Sequence, residues 1–391
     1  MKVIIAGDFV VQARSVNIVQ SGQFAQIVPE KLVELLHNVD FPIVNFESPI
    51  SFPFLKALKK LGPNLSSPRE AIHLLQYLGF QSVSLANNHI LDYGVEGLRH
   101  TVEECKNAGL DFVGAGQNII DANRVLYVER GNTRLGIINC CEHEFSIATE
   151  QSAGANPLDL VRQFRAIQQA KKNADVVIVI VHGGHEYYQL PSIRMQDTYR
   201  FFIEAGADAV INHHQHCVSG YEIYKDRPIF YGVGNFYFDW EGKRNSVWNE
   251  GMLVELDIST KGVDFRLIPF IQCNDLANIT LMTREQEEAF FQHIMRLNHI
   301  IVDHDRLSQE FAHYVKETDR EYQLALEPYS SRFSQALFRR KMLPSFLNEK
   351  RTLKLMNYIL CESHRDRLIA FLMNRYNMIC NGKDNNSNKT N

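Results

Sequence analysis

The stretch SLANNH, residues 84–89, places an amide and an imidazole directly after a short apolar run. Such a run predicts a buried strand, so the polar residues lie in the turn at its carboxyl end. In an open α/β sheet, ligands bind outside the carboxyl ends of the strands. Gly94 and Gly97 follow, and they allow a tight turn or a close approach of the backbone to a site. Asn88 and His89 are therefore candidate functional residues, although Asn and His also occur in ordinary turns.

Other predicted strands also end on residues that commonly bind metals. The strand-end donors are Asp8, Glu47, Asn88, His182, His214 and His216. Oxygen ligands mixed with imidazoles suit two borderline divalent ions (Mn, Fe or Zn) held close together, with one carboxylate between them. Such a pair can activate water and clamp an oxygen of a phosphoryl group. A nearby imidazole can protonate the leaving alkoxide, and His89 is the candidate for that catalytic role.

Each of these residues also has an ordinary structural explanation. Asp8 can cap a helix, Glu47 can form a loop salt bridge, and an isolated histidine such as His182 often belongs to a core. Three histidines within residues 213–216 are harder to explain structurally. The combination therefore favours a metal site more than any single residue does.

Weaker candidates lie beside these residues. His185, Glu186 and Asn235 are candidates for substrate binding. The polar segment 142–157 is expected to form a loop over the site. Glu142 and His143 belong to that segment, and a structural role is the preferred interpretation for both.

Composition excludes some classes of function. The chain has 391 residues and a formal net charge of -4, which argues against a general nucleic-acid-binding protein. Its seven cysteines form no CxxC pair, so we expect reduced thiols and no structural zinc cluster. The chain starts in an apolar strand, and no segment reaches the roughly 20 apolar residues needed to span a bilayer. We therefore predict a soluble, cytoplasmic protein.

The sequence pattern divides the chain into two parts. Residues 1–273 alternate between short apolar strands and helical patterns, which predicts an α/β domain. Residues 274–380 have the pattern of helices almost throughout, and Thr283 with Gln286 forms a capping box near their start. The tail, residues 381–391, is rich in Asn, Lys and Ser and is expected to be disordered.

Short motifs in the first part occur in one order and spacing. They are Gly7-Asp8, Asn45-Phe46-Glu47, Ala86-Asn87-Asn88-His89 with Asp92, Gly94 and Gly97, Gly114-Ala115-Gly116, His182-x-Gly184-x-Glu186-Tyr187, Ala205-Gly206-Ala207-Asp208, His213-His214-x-His216 and Tyr231-Gly232-x-Gly234-Asn235-Phe236. Over roughly residues 1–270, the pattern resembles the CapA family of capsule and poly-γ-glutamate biosynthesis proteins, a branch of the calcineurin-like metallophosphoesterases. The resemblance implies a sandwich of two mixed β-sheets flanked by helices, with a dinuclear metal site at the strand ends.

The resemblance also implies a role for each strand-end residue. His89 matches the superfamily's catalytic imidazole. The implied ligands are Asp8 and His216 for the first metal ion, Glu47 as the bridge, and Asn88, His182 and His214 for the second.

The sequence departs from the wider superfamily at two of these positions. Val10 stands where the superfamily has a histidine, so the first ion is expected to be weakly held, or absent until substrate binds. Glu47 stands where the superfamily usually has an aspartate. Capsule-related members are often membrane-anchored and exported, and this sequence shows no anchor, so an extracellular polyglutamate role is not expected.

Three functions fit these residues. The first is hydrolysis of a phosphoester or phosphodiester in capsule, surface-polysaccharide or cell-envelope metabolism. The second is cleavage of γ-glutamyl amide bonds during poly-γ-glutamate biosynthesis or processing. The third is a non-catalytic assembly role with a vestigial metal site, which Val10 favours. In the first two cases the substrate is a small or polymeric anion, and an arginine-rich cavity would suit either one.

Basic and apolar residues alternate between Arg332 and Lys354. Basic amphipathic helices can lie on anionic membranes, so peripheral membrane contact is one expectation for this region. The preferred interpretation is a helical cap whose charges face solvent. The sequence leaves the oligomeric state open.

Overall fold

The protein is described by a computed structural model. It describes residues 1–259 and 262–360, together with residues 364, 368–369, 371–373 and 376. The chain divides into two compact units, residues 1–308 and a second unit that begins at Gln309. The tail predicted to be disordered, residues 381–391, lies outside the described residues.

The strands that the structure describes all belong to the first unit. They are β1 (Lys2–Val10), β2 (Phe41–Phe46), β3 (Ser82–Ser84), β4 (Asp111–Val113), β5 (Ala115–Gly116), β6 (Leu126–Arg130), β7 (Thr133–Cys141), β8 (Gly154–Ala155), β9 (Val176–His182), β10 (Ala209–His213), β11 (Tyr221–Tyr224), β12 (Arg227–Phe230), β13 (Asn235–Phe238), β14 (Glu250–Ser259), β15 (Gly262–Gln272) and β16 (Ile279–Leu281).

Helices follow most of the strands. They are α1 (Ser15–Gln20), α2 (Glu30–His37), α3 (Glu70–Tyr77), α4 (Gly94–Asn107), α5 (Ile119–Ala122), α6 (Leu160–Asn173), α7 (Ile193–Glu204), α8 (Arg284–Ile301), α9 (His304–Leu326), α10 (Arg332–Arg339) and α11 (Glu349–Leu360). Short 3₁₀ turns lie at Phe24–Gln26 and Val247–Asn249.

Two mixed sheets form the body of the first unit. One has the order β16-β15-β14-β1-β2-β3-β4, with β13 also paired to β1, and the other has the order β11-β12-β10-β9-β7-β6. The central strands β1 to β4 are parallel, as are β7, β9, β10 and β12. The carboxyl ends of parallel strands lie at the same edge of a sheet, which is where the sequence places its polar donors.

Strand β1 shows how the sheets pack. Its alternate side chains face two different cores, as the period of two in a strand requires. Val3 and Ile5 pack in a cluster with buried residues of the second sheet, whereas Ile4 and Ala6 pack with the apolar faces of α2 and α3. The expected sandwich of two mixed sheets flanked by helices is thereby confirmed.

The first unit extends beyond the boundary that composition suggested at residue 273. Helix α8 was expected in the helical extension, but Phe290, Ile294 and Leu297 are buried in the same cluster as the second sheet. Asn298 also accepts a hydrogen bond from the backbone of Tyr221 in β11 (2.7 Å). The expected capping box is present at the start of this helix, between Thr283 and Gln286. The first unit therefore includes α8 and ends after it, at residue 308, whereas the composition changes at residue 273.

The second unit contains α10, α11 and most of α9. Glu327 links its segments, because its carboxylate accepts hydrogen bonds from the hydroxyl of Ser345 and the backbone of Phe346. Within the described residues, no helix is both long enough and apolar enough to cross a membrane.

Candidate metal centre

Five strand ends meet at one edge of the two sheets. Asp8 lies in β1, Glu47 directly follows β2, and Asn88 lies in the turn after β3. His182 ends β9, and His214 follows β10. The topology therefore brings residues from both halves of the first unit together, although they are far apart in sequence.

His182 is the centre of the first group of donors. Its Nε2 lies 3.1 Å from Asn88 Oδ1, 3.1 Å from His214 Nδ1 and 3.3 Å from Glu47 Oε1. Ligands of a tetrahedral ion at bond lengths of about 2.1 Å lie about 3.4 Å from one another. These donor atoms have that spacing, so the group fits a divalent ion.

Asp8, Glu47 and His216 form a second group. Asp8 Oδ2 lies 3.3 Å from His216 Nδ1, and Glu47 Oε1 lies 3.8 Å from His216 Nε2. Glu47 belongs to both groups, as a bridging carboxylate would. A third group consists of Glu186, His214 and His216.

Glu47 is the most unusual side chain in the centre. It is fully buried, and neither carboxylate oxygen has a hydrogen-bond partner among the described residues. Burial, together with the nearby charge of Asp8, raises its pKa well above the usual value. An unpartnered buried carboxylate is costly, and bound cations would remove that cost. The residues present therefore fit a metal centre.

Asp8 differs from Glu47 in the direction of its pKa shift. Its burial would raise its pKa, but the hydrogen bond with His216 and the charge of His182 lower it well below the usual value. Asp8 also accepts hydrogen bonds from the Asn45 amide (2.6 Å) and the backbone N–H of His214 (3.2 Å). Asp8 is thus held ionised and in a fixed orientation.

The turn after β10 has unusual backbone geometry. His214 has φ 86° and His216 has φ 53°, which is the left-handed region that non-glycine residues rarely adopt. Strain of this kind concentrates at functional sites, where the surrounding structure maintains it. The turn directs both imidazoles to the edge where the strands end.

Gly7 permits a close approach between the backbone of β1 and the backbone that precedes β13. A Cβ at this position would collide with the carbonyl oxygen of Gly234. Because β13 follows directly, the approach brings Asn235 next to Asp8 in register.

His89 lies beside the centre and is held by Asp92. Its Nδ1 lies 2.7 Å from Asp92 Oδ2, and Lys60 Nζ lies 3.2 Å from the same ring nitrogen and forms an ion pair with Asp92. Lysine can only donate, so the consistent arrangement is that His89 Nδ1–H and Lys60 both donate to Asp92. Burial lowers the pKa of His89, opposed by the hydrogen bond with Asp92. The ring is therefore held with Nε2 as its remaining titratable atom.

Asp92 also anchors the loop that carries Lys60. Its backbone carbonyl accepts a hydrogen bond from the Leu58 N–H (2.7 Å), and its Oδ2 accepts one from the Leu65 N–H (2.6 Å). One residue thereby joins this loop to the imidazole of His89.

A cavity of about 300 Å³ opens next to the centre. Its walls combine donors of the centre, a loop with one lysine, two glutamates and an aromatic surface. The lining residues are Lys60, Leu61, Gly62, Pro63, Leu65, Asn88, His89, Glu144, Phe145, Glu186, Tyr187, His216, Phe238, Trp240 and Trp248. Substrate entering this cavity would meet His89 and His216 directly.

Of the three candidates for substrate binding, only Glu186 lines the cavity. Asn235 is fully buried behind His216, with its Oδ1 2.9 Å from His216 Nδ1, so it orients that imidazole. His185 packs edge-on against Tyr188 and does not line the cavity.

The structure also places Val10 and Glu142. Val10 is fully buried in an apolar cluster with Leu65, Phe238 and Trp248. Its side chain offers no donor atom. Glu142 accepts hydrogen bonds from Arg194 (2.5 Å) and from the backbone of Gly184 (2.8 Å), which is a structural role.

Sequence reasoning missed Lys60 and Glu144. Glu144 Oε2 accepts a hydrogen bond from the Asn88 amide (3.3 Å), and its Oε1 lies 3.8 Å from His214 Nε2. Glu144 lies in the polar segment expected over the site, but nothing distinguished it from its neighbours there. Lys60 lies in a loop without periodicity, so only the three-dimensional contacts identify it. Asp92 was detectable, because it lies three residues after His89 in the motif.

Comparison with known proteins agrees with this geometry. The family described as bacterial capsule synthesis protein PGA_cap matches residues 2–240. The capsule biosynthesis protein CapA of Bacillus anthracis is 35% identical over 221 residues, which is 54% of this chain and 54% of that protein. The PGA biosynthesis protein CapA of Bacillus subtilis is 31% identical over 256 residues, which is 61% of this chain and 67% of that protein.

The chain thus spans about half the length of the B. anthracis relative. Among solved structures, it is similar to a phosphatase of Mycoplasma pneumoniae with a TM-score of 0.43 and 16% identity, covering 70% of this chain and 95% of that one. The family match includes every candidate ligand, from Asp8 to His216. The chain belongs to the bacterial capsule synthesis protein PGA_cap family.

Proposed function

We propose that the protein is a metal-dependent hydrolase of phosphoesters, acting in capsule or other cell-envelope metabolism. The observation that supports this most is Glu47: a fully buried carboxylate that has no hydrogen-bond partner among the described residues and is shared by two groups of candidate metal ligands. Asp8, Glu47 and His216 would hold one divalent ion, and Glu47, Asn88, His182 and His214 the other. Mn, Fe and Zn all suit this mixture of oxygen and nitrogen donors.

A pair of bound ions supplies Lewis acidity and lowers the pKa of water for attack on phosphorus. The chain's own contribution to proton transfer is His89. Asp92 holds its Nδ1, so Nε2 is the atom that can carry a proton to the leaving oxygen.

The cellular setting is part of the proposal. Family membership supports a role in capsule or poly-γ-glutamate biosynthesis, and the two Bacillus relatives carry names of that kind. Hydrolysis of γ-glutamyl amides and a non-catalytic assembly role are the competing possibilities, and they are outcomes of the test below.

The test is hydrolysis of diphenyl phosphate by the full chain with added Mn²⁺, because a phenoxide leaving group, unlike a nitrophenoxide, depends on a proton donor to depart. The variant His89→Ala should lose about 10²- to 10⁴-fold in kcat, because the leaving group would lose its proton donor. Its metal content, measured by elemental analysis, should equal that of the unaltered protein. His73→Ala, which changes an exposed histidine on α3, is the matched control and should keep full activity.

Full activity of His89→Ala would contradict the assigned role of the imidazole. Release of glutamate from poly-γ-glutamate, without phosphate ester hydrolysis, would favour the amide reaction. Protein that binds no metal and hydrolyses neither substrate would favour the assembly role.

A further inference from the structure

The cavity beside the centre has few positive charges of its own. Among the residues that line it, Lys60 carries the one permanent positive charge. The Asp92 carboxylate already compensates that charge, because Lys60 is buried and forms an ion pair with Asp92. An arginine-rich cavity was the feature that would have suited a polyanion, and no arginine lines this cavity.

Three arginines of the first unit are paired with carboxylates. Arg194 pairs with Glu142, and both Arg14 and Arg244 pair with Asp239. A further cation lies behind the cavity lining, because Lys243 Nζ is 3.8 Å from the ring centroid of Tyr187.

Two glutamates add negative charge at the cavity wall. Glu144 contacts the Asn88 amide and lies 3.8 Å from His214, and Glu186 has a carboxylate oxygen within 4.8 Å of donor atoms of His214 and His216. The carboxylates around the centre are Asp8, Glu47, Glu144 and Glu186. Two divalent ions would carry four positive charges, so these four carboxylates would neutralise them.

Part of the cavity lining is aromatic. Tyr187 and Trp248 have ring centroids 6.0 Å apart, and Trp240 lies 5.8 Å from Trp248. Phe145 and Tyr187 are partly exposed, and both line the cavity. Faces of this kind bind flat or sugar rings, because such rings bury apolar area and stack favourably.

We propose that the cavity selects a phosphodiester with one negative charge and a ring-bearing substituent, and discriminates against dianionic monoesters and polyanions such as polyglutamate. This inference rests on the proposed function, because it concerns the substrate of the same site. A phosphate group with one negative charge meets an electrically balanced centre, whereas a second charge is repelled by Glu144 and Glu186. The ring of the ester lies against Trp240, since Lys243 already covers one face of Tyr187.

The test compares two non-hydrolysable probes that differ by one charge. Phenylphosphonate is a dianion near pH 8, and its monomethyl ester is a monoanion with the same ring. Binding of each to the Mn²⁺-loaded full chain is measured by calorimetry, after metal content has been verified. The double variant Glu144→Gln/Glu186→Gln should bind the dianion about 10-fold more tightly and the monoanion less than about 3-fold more tightly.

Glu150→Gln is the matched control, because it removes an exposed carboxylate from the same segment as Glu144. It should leave both affinities unchanged. A second variant, Trp240→Ala, should weaken both phenyl probes equally but leave the affinity for dimethyl phosphate unchanged.

An equal effect of the double variant on both probes would overturn the inference, as would absence of probe binding or tight binding of poly-γ-glutamate to the unaltered protein. The two proposals can fail separately. Selective binding of the monoanion without any ester hydrolysis would refute the hydrolase and keep the selectivity. Hydrolysis of monoesters in preference to diesters would keep the hydrolase and refute the selectivity.

Discussion

The two units of the chain differ in where their apolar side chains lie. In the first unit, every residue of β9 is buried, and the centre lies at the end of that strand. In the second unit, α10 has no buried residue, and Phe333 is 75% exposed. Leu324 and Glu327 are its buried residues among the side chains that the structure describes.

This contrast shows what rigid placement of a site requires. Donor atoms in the centre keep spacings near 3.1 Å because they lie at the ends of buried strands or in the turns that follow them. Exposed apolar side chains, such as Phe333 in α10, do not hold neighbouring groups at fixed distances. Contiguous patches of such side chains are typical of surfaces that contact a partner or a membrane. Among the described residues, the groups that could hold a metal ion all lie before Ser308.

The largest expected difference between the units is in stability. Ile180→Ala, in the fully buried strand β9, should lower the free energy of unfolding by about 2–5 kcal/mol, because it leaves a cavity in a packed core. Met356→Ala, at a residue 49% exposed in α11, should change it by less than about 0.5 kcal/mol. Urea unfolding followed by circular dichroism measures both. Equal effects of the two substitutions would contradict the difference in packing between the two units.

A smaller difference is expected from metal binding. Mn²⁺ at 100 times its Kd should stabilise the first unit by about 2.7 kcal/mol, because only the folded centre binds it. Both tryptophans of the chain, Trp240 and Trp248, lie in this unit, so their fluorescence follows its unfolding alone. Glu47→Gln should abolish the stabilisation, whereas Glu150→Gln should retain it. Stabilisation of the Glu47 variant would show that the ion binds elsewhere.

The smallest effect concerns the basic surface of the second unit. Arg340 and Lys341 are exposed beside Met342, which is 66% exposed, and peripheral contact with anionic membranes stays a prediction for this region. In flotation assays with vesicles containing phosphatidylserine, Arg340→Gln should weaken binding of the full chain by about 1 kcal/mol. Arg284→Gln, an exposed position in α8, is the control. Failure of the full chain to float, or equal flotation with neutral vesicles, would leave the solvated cap as the better interpretation.

The fold was largely predictable because its strands carry strong local signals. Apolar runs such as residues 176–181 can only be buried, and a polar donor after each run marks the carboxyl end. The convergence of Asp8, Glu47 and His182 followed from this rule, since parallel strands share an edge.

Other features were not predictable for physical reasons. The apolar stripe of α8 was visible, but periodicity does not say what a stripe packs against, so its packing with the second sheet was not predictable. Asn235 was expected to bind substrate, although only the pairing of β13 with β1 shows that it lies behind His216. Lys60 and Glu144 lie in loops, where position depends on long-range contacts and not on local pattern.

Asp92 makes two parts of the molecule mechanically inseparable. Its carboxylate and backbone carbonyl together hold Leu58, Lys60, Leu65 and His89. Segment 58–65 and the imidazole of His89 therefore depend on the same residue for their positions. A substitution that removes the Asp92 carboxylate is expected to loosen both of them.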